Sequence, residues 1–338
     1  MNVLVTGGLG YLGSHVVVEL FNKNHNVIIY DNLSNSSMKV LKNLEKILGG
    51  KMTFFKGDIL DKAFLSKIIK ENQINAVFHF AGLKSVKDSN ENKKKYYEVN
   101  VEGTGNLVES MQENIEEDKY FIFSSSACIY GDPLYLPYDE SHPLKPENYY
   151  GETKLLSEEL LKVTSKNNKK WKICALRYFN PIGSHSSCLI GDNPKSNLEN
   201  LMPKINFVAK NPKEKLKIFG SDYNTTDGTA VRDYIHVCDL IDGHISAFEY
   251  LMNLKSPFFD IFNLGRGKGV SVMELVKVFE KVNDLRIPYQ FIQRRPGDLP
   301  SYFADIRKSS KLLKWKPTRN LEDMCLSAWK FQELKEKF

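Results

Sequence analysis

The chain has little with which to close disulfides or hold a metal. Its five cysteines, at 128, 174, 188, 238 and 325, are odd in number and widely scattered. None form CxxC, and no Cys/His cluster has zinc spacing. This excludes a disulfide scaffold and a zinc ribbon, and no metal is expected. It suits reduced thiols in a cytoplasm. No apolar run approaches the roughly 18 residues that a membrane span needs, so no membrane partner is expected. The opening MNVLVTGG lacks a basic leader, an apolar h-region and a small-residue cleavage site. It reads as a first strand, and export is not expected. Internal repeats and Pro-rich or Ser-rich linkers are also missing. Charge is only mildly unbalanced, at +6, and comes from dispersed lysines. The longest basic run, Lys93, Lys94 and Lys95, reads as a solvated helix face. No basic stretch is interleaved with aromatics, so nucleic acid is not an expected partner. An anionic small substrate stays compatible with the balance.

What is present is an ordinary globular composition and a regular alternation. The 338 residues suit one large domain or two joined ones. Strand-like runs stand at NVLVTG (2–7), NVIIYD (26–31), MTFFKGD (52–58), AVFHFAG (76–82), YFIFSSSA (120–127) and KICALRYFN (172–180). Helix-like stretches fall between them, at 11–24, 61–72, 100–114 and around Lys154. This alternation predicts a parallel sheet covered on both faces. Past residue 180 the pattern breaks into loops, GSHSSCLIGDNPKSN (183–197) and GSDYNTTDGTAVRD (220–233). Helices over 240–252 and 272–282 and a strand over 260–265 follow. The expected fold is therefore α/β, a Rossmann-like doubly wound parallel sheet over 1–180. A smaller C-terminal substrate-binding domain over 181–338 completes it, with later elements able to return to the first unit.

TGGLGYLG, Thr6 to Gly13, places Gly7, Gly10 and Gly13 three apart between a strand and a helix. Glycine permits the tight turn and lets backbone approach a pyrophosphate. The helix N-terminus adds free N–H groups and a positive dipole end. Asp31 closes the second strand, 18 residues past Gly13. A carboxylate there can bind ribose hydroxyls and repels a 2′-phosphate, which favours NAD over NADP. Asp58, after the third strand, is placed either to reach adenine or to cap a helix. His79, inside a strand, reads as a core or supporting histidine.

The fifth strand ends in SSSACIYGD, Ser124 to Asp132, where a parallel sheet borders its ligand crevice. Three serines fit a core strand poorly and read as hydroxyls facing a ligand. Tyr150 follows 24 residues after Ser126, four positions before Lys154, at a predicted helix start. The adjacent Tyr149 lacks that spacing. A helical turn brings the ammonium to the phenol's side. Positive charge from Lys154 and from an oxidised nicotinamide would draw the phenol towards neutral pH, as a general base requires.

These motifs, together with DNLSNS, GDI, HFAGLK, NVEGT, RYFNPIG, NLMP, DGTAVRDYIHVCDL and RRPGDLPSYFAD, run the length of the chain. The sequence resembles the extended short-chain dehydrogenase/reductase family and, within it, the UDP-glucose 4-epimerases. The resemblance implies NAD as cofactor, UDP-glucose and UDP-galactose as substrates, and a homodimer paired through helices. It implies Tyr150 as base, Lys154 as its electrostatic helper and Ser126 as a bridge to the sugar hydroxyl. For NAD it implies Gly7, Gly10, Tyr11, Leu12, Gly13, Asp31, Asn32, Asn35, Ser36, Asp58, Ile59, Phe80, Ala81, Gly82, Lys84, Asn100, Ser124, Tyr150, Lys154 and Phe179. For the UDP-sugar it implies Lys84, Ser126, Tyr150, Asn180, Asn200, Leu201, Lys217, Phe219, Arg232, Tyr234, Arg295, Asp298 and Tyr302. Guanidinium groups suit bidentate diphosphate contact, which makes Arg232 and Arg295 chemically apt.

The implied reaction is redox-neutral. The sugar is oxidised at C4, turns while UDP stays anchored, and is reduced on the other face. Three rival readings carry less. A 4,6-dehydratase would need an acidic pair where Ala127 and Cys128 stand. A decarboxylase acting on UDP-glucuronate would need a cationic receptor for the sugar carboxylate. A sensor or scaffold would not need the Tyr/Lys pair. Three positions depart from the family pattern: Leu12, Cys128, expected to pack rather than react, and Tyr149 at the helix entry. The resemblance implies that a bulky residue at Tyr302 narrows the sugar pocket against a 2-acetamido group.

Overall fold

The computed structural model describes residues 1–195, 198, 200–295 and 297–335. Ser196 and Asn197 of the expected 183–197 loop, and Pro296 of the RRPGDLPSYFAD motif, lie outside the described residues. The first half alternates as its hydrophobic pattern dictates: β1 (Asn2–Thr6), α1 (Tyr11–Asn22), β2 (Asn26–Asp31), α2 (Met38–Leu48), β3 (Thr53–Lys56), α3 (Lys62–Glu71) and β4 (Ala76–His79). Two short helices follow, α4 (Val86–Glu91) and α5 (Lys93–Tyr97), and then α6 (Gly103–Asn114), β5 (Lys119–Ser126), α7 (Tyr149–Asn167) and β6 (Trp171–Tyr178). The second half runs β7 (Asn180–Ile182), α8 (Leu201–Lys210), β8 (Leu216–Phe219), β9 (Val231–His236), α9 (Val237–Met252) and β10 (Phe258–Leu264). It ends with β11 (Gly269–Ser271), α10 (Val272–Asn283), β12 (Tyr289–Ile292), β13 (Ser301–Tyr302), α11 (Arg307–Leu312) and α12 (Leu321–Leu334).

Seven strands form one parallel sheet in the order β10-β6-β5-β4-β1-β2-β3. Side-chain alternation sends successive residues to opposite faces. Val3 and Val5 join one core with Val16, Leu20, Leu44 and Phe248, under α1, α2 and α9. Leu4 joins the other with Leu65, Leu107 and Leu161, under α3, α6 and α7. With helices on both faces, the strands are buried on both sides. β2 and β4 flank β1, so the order reverses there, and a crevice opens beyond the carboxyl ends of those strands.

The second unit is built on β9, which pairs with β11, β13 and β7. Its register sets Asn180 beside Tyr234 and Tyr302 beside Arg232. A third core joins β8, α8, α10 and α12 through Ile218, Ile205, Phe279 and Met324. The chain crosses between units more than once, since α9 and β10 belong to the first layer.

Several element boundaries differ from the sequence pattern. The expected 220–233 loop ends earlier, because residues 231–233 open β9 and pair with β11. The expected 172–180 strand stops at Tyr178, and Asn180 starts β7, which leaves the sheet for β9. The helix expected from 100 is entered through a π-helical turn, Glu98–Glu102. Lys93, Lys94 and Lys95 lie exposed on α5. α2 and α8 add to the helices expected: Val40, Leu41, Leu44, Ile47 and Leu48 of the first recur at helical spacing, and Pro203 stands in the first turn of the second, where proline is tolerated.

Candidate functional site

A cavity of about 1030 Å³ runs from the glycine turn, past the end of β5, into the second unit. Every residue that the resemblance implied lines it, except Asn100. Asn100 stands behind the wall. Its Oδ1 accepts from Leu83 N at 2.8 Å, and its Nδ2 donates to Leu83 O and Thr153 Oγ1. The π-helical turn thereby ties the Gly82–Lys84 segment to α7.

The glycine end is shaped for close approach. Gly7 has φ +67, and a Cβ there would sit 2.7 Å from Ala81 N. A Cβ on Gly13 would sit 2.2 Å from Gly7 O. α1 starts after Gly10 with no side-chain cap and no acidic residue in its first turn, so its N-terminus suits an anion. Asp31 is buried in the cavity wall and accepts from Leu9 N, Leu33 N and Ser36 Oγ at 2.7–3.0 Å. Its fixed negative charge there opposes a 2′-phosphate. Asp58 does not cap α3; Asp61 does, through Phe64 N. Asp58 instead accepts from Asn32 Nδ2 at 2.9 Å and Leu60 N at 3.0 Å. His79 is buried between Thr6 Oγ1 (2.7 Å) and Thr104 Oγ1 (3.0 Å). Burial holds its pKa down at about 3, which keeps it a neutral supporting group. A buried cleft with a glycine cradle, a free helix N-terminus and a strand-end acid fits a dinucleotide.

The three serines of β5 do not all face the cavity. Alternation separates them. Ser124 and Ser126 line it, while Ser125 points to the opposite side and donates to Glu158 Oε1 at 2.5 Å. Ser124 Oγ contacts Tyr178 OH. Tyr178, absent from the sequence reading, also lines the cavity. It stands two residues before Asn180, in a strand whose pairing with the serine strand sets it beside Ser126.

α7 is placed by acceptors that meet its first-turn amides. Asn148 Oδ1 caps Gly151 N at 2.9 Å, Asn90 Oδ1 takes Tyr149 N, and Ser89 Oγ takes Tyr150 N. Tyr149, the departure at the helix entry, lies with its ring 5.3 Å from the Lys93 ammonium. Lys154 is buried and donates to Ser124 O at 2.8 Å. Burial lowers its pKa to about 8, and Glu158 opposes that drop. Tyr150 is pushed well above the usual phenol range by burial, and a hydrogen bond from Ser126 opposes the rise. The expected downward pull on the phenol is thus not delivered by the protein alone. The ammonium is directed at the serine carbonyl, 5.9 Å from the centre of the Tyr150 ring. The Cys128 thiol is likewise raised by burial, which suits packing rather than reaction.

At the other end Arg232 is buried, and its guanidinium meets Val231 O, Leu299 O and Asp298. Arg295 stacks over Phe219 at 4.3 Å and reaches the same Asp298 at 3.6 Å. One carboxylate therefore holds two guanidinium groups at the cavity. Tyr302 is fixed by three neighbours: its OH donates to Asn180 Oδ1 at 2.8 Å, Phe179 lies against its ring, and Arg232 lies 4.7 Å from the ring centre.

A family model described as GDP-mannose 4,6 dehydratase matches residues 4–327. The UDP-glucose 4-epimerase of Bacillus subtilis is 46% identical over 98% of this chain and 97% of its own. The solved UDP-glucose 4-epimerase of Stenotrophomonas maltophila, with bound NAD and formylated UDP-arabinopyranose, matches with a TM-score of 0.95 at 40% identity, over 100% of this chain and 99% of that one. That of Bifidobacterium longum, in complex with NAD+ and UDP, matches at 0.93 and 39%, over 99% of both chains. The chain belongs to the UDP-glucose 4-epimerase family, within the extended short-chain dehydrogenases/reductases.

The glycine cradle generates a test. Gly7→Ala forces a side chain into a left-handed conformation and against Ala81. The parent is expected to purify with a bound dinucleotide and the variant without it, as measured by enzymatic assay of nucleotide released on denaturation. Parent-level nucleotide in the variant would contradict this account of the turn.

Proposed function

We propose, on the premise of that membership, that this protein interconverts UDP-galactose and UDP-glucose by inverting C4 through a 4-keto sugar. The observation that carries the reading is one cavity with a dinucleotide cradle at one end, paired arginines at the other, and Tyr150, Ser126 and Lys154 between them. Gly7, Gly10, Gly13, Asp31 and Lys154 would hold NAD. When bound, NAD supplies a hydride acceptor that can return the hydride, and a positive charge that opposes the burial of the phenol.

The protein's own groups do the rest. Tyr150 takes the proton of the sugar 4-hydroxyl and later returns it. Ser126 steers that transfer between hydroxyl and phenol. Lys154, held on the Ser124 carbonyl, keeps a positive charge near the developing phenolate. Arg232 and Arg295 anchor the diphosphate while the sugar turns. The exchange needs no net oxidant, so the dinucleotide can stay in place from one turnover to the next. Dehydration is disfavoured, because Ala127 and the half-buried Cys128 stand where that chemistry wants an acidic pair.

A homodimer paired through helices including α7, a cytoplasmic location and a place in galactose metabolism belong to the same proposal. All five cysteines are free, which supports a reducing compartment. Among the described residues no helix is long and apolar enough to cross a membrane.

Two outcomes test the reading. Tyr150→Phe removes the proton acceptor but little volume. Its turnover is expected to fall about 10²–10⁴-fold, the range of a lost acid–base group, with bound NAD retained. Near-parental turnover would remove Tyr150 from the role of base. Tyr302 is held rigidly on three sides and is proposed to exclude a 2-acetamido group. The kcat/KM on UDP-N-acetylglucosamine is expected to lie at least ~10-fold below that on UDP-glucose. Equal values would refute the exclusion.

A further inference from the structure

The middle serine points away from the cavity into a buried polar cluster that the proposed chemistry does not use. Glu158 lies one helical turn beyond Lys154, and its carboxylate is 3% exposed. Its Oε1 accepts from Ser125 Oγ and from Arg177 Nε at 3.0 Å, and its Oε2 accepts from Arg177 Nη2 at 2.6 Å. Arg177, on β6, is 1% exposed and also donates to Tyr130 OH at 3.2 Å. Tyr130 OH donates on to Asn263 Oδ1, on β10, at 2.7 Å. The cluster therefore joins α7, β5, β6, β10 and the turn that follows the serines.

Such a pair is a poor device for stability alone. Burying two ions costs desolvation that their attraction barely offsets, and apolar residues of like volume often do as well. What a fully bonded cluster does supply is a fixed geometry. Here it fixes the spacing that the site depends on. Ser125 is flanked by the residue whose carbonyl receives Lys154 and by the residue whose hydroxyl meets Tyr150. Its own hydroxyl is tied to the helix that carries both Tyr150 and Lys154.

We propose that Ser125, Glu158 and Arg177 are positioning residues for the proton transfer: the Ser125–Glu158 hydrogen bond clamps the end of β5 to α7, so that the Ser126 hydroxyl is held against the Tyr150 phenol. The proposal rests on the reading of Ser126 and Tyr150 given above. The clamp touches neither the glycine cradle nor the arginine end. It governs turnover and leaves the binding of both nucleotides unchanged.

The test is a double-mutant cycle on the full-length holoenzyme. Ser125→Ala removes the clamp and leaves the Glu158–Arg177 pair intact. It is expected to lower kcat about tenfold, a misplacement effect, with KM for UDP-galactose and bound NAD unchanged. In a Ser126→Ala background the same change is expected to do almost nothing further, since the hydroxyl it positions is gone. Should Ser125→Ala fail to fold, Ser125→Cys keeps the volume with only a weak donor and enters the same cycle. Parental kcat in the Ser125 variant overturns the proposal, and so does an equal loss in both backgrounds, which would mark a merely structural residue. Full activity in Ser126→Ala alone overturns the assignment of that serine and the clamp together.

Discussion

The site depends on one buried hydrogen bond, from the Lys154 ammonium to the carbonyl of Ser124. It joins the helix that carries the phenol to the strand that carries the serines. An ammonium out of water is costly unless it is paired. The carbonyl lies one residue past the end of the β4 ladder, whose last pair is His79 with Phe123, while β5 runs on beside β6 to Ser126. The Phe123 ring, 4.9 Å from the ammonium, closes another side. Fixed in this way, the Lys154 ammonium is held beside the serine strand although burial lowers its pKa to about 8.

The electrostatics of the site are a balance held by burial. Burial lifts the Tyr150 phenol and depresses Lys154, so each group is drawn towards its neutral form. Ser126 opposes the first effect and Glu158 the second. A cavity poised in this way responds to the charge of what enters it. Under the proposed function a cationic dinucleotide ring would favour the phenolate, and an anionic diphosphate would be met by Arg232 and Arg295 at the far end. The second unit supplies that far end through strand register: β9 presents Arg232 and Tyr234 on one face, with Tyr302 and Asn180 as their partners on neighbouring strands.

Much of this was legible in the sequence, for identifiable reasons. The sheet was readable because strands buried on both faces are written as short β-branched runs, as in NVLVTG and NVIIYD. The glycine turn was readable because two of its positions admit no side chain. The serine strand was read only in part. Ser124 and Ser126 face the cavity, but the period of a strand sends Ser125 to the other side, and its partner Glu158 lies 33 residues away. Tyr178 was missed for a related reason: nothing local marks a strand tyrosine as facing a cavity until its neighbour is known. The pull on Tyr150 is expected from Lys154 together with an oxidised nicotinamide, and sequence spacing does not reveal that the ammonium is directed at a carbonyl. The loop after Gly220 concealed β9, whose strand character comes from partners far along the chain.

The account's central claim is that one cavity both retains the dinucleotide and inverts C4. The most direct test is to incubate the purified protein with UDP-galactose, add no NAD, and follow the sugar by proton NMR. The account predicts growth of UDP-glucose to a stable mixture of the two sugars, with no accumulating oxidised product. An unchanged UDP-galactose spectrum, both without NAD and after NAD is supplied, would contradict it.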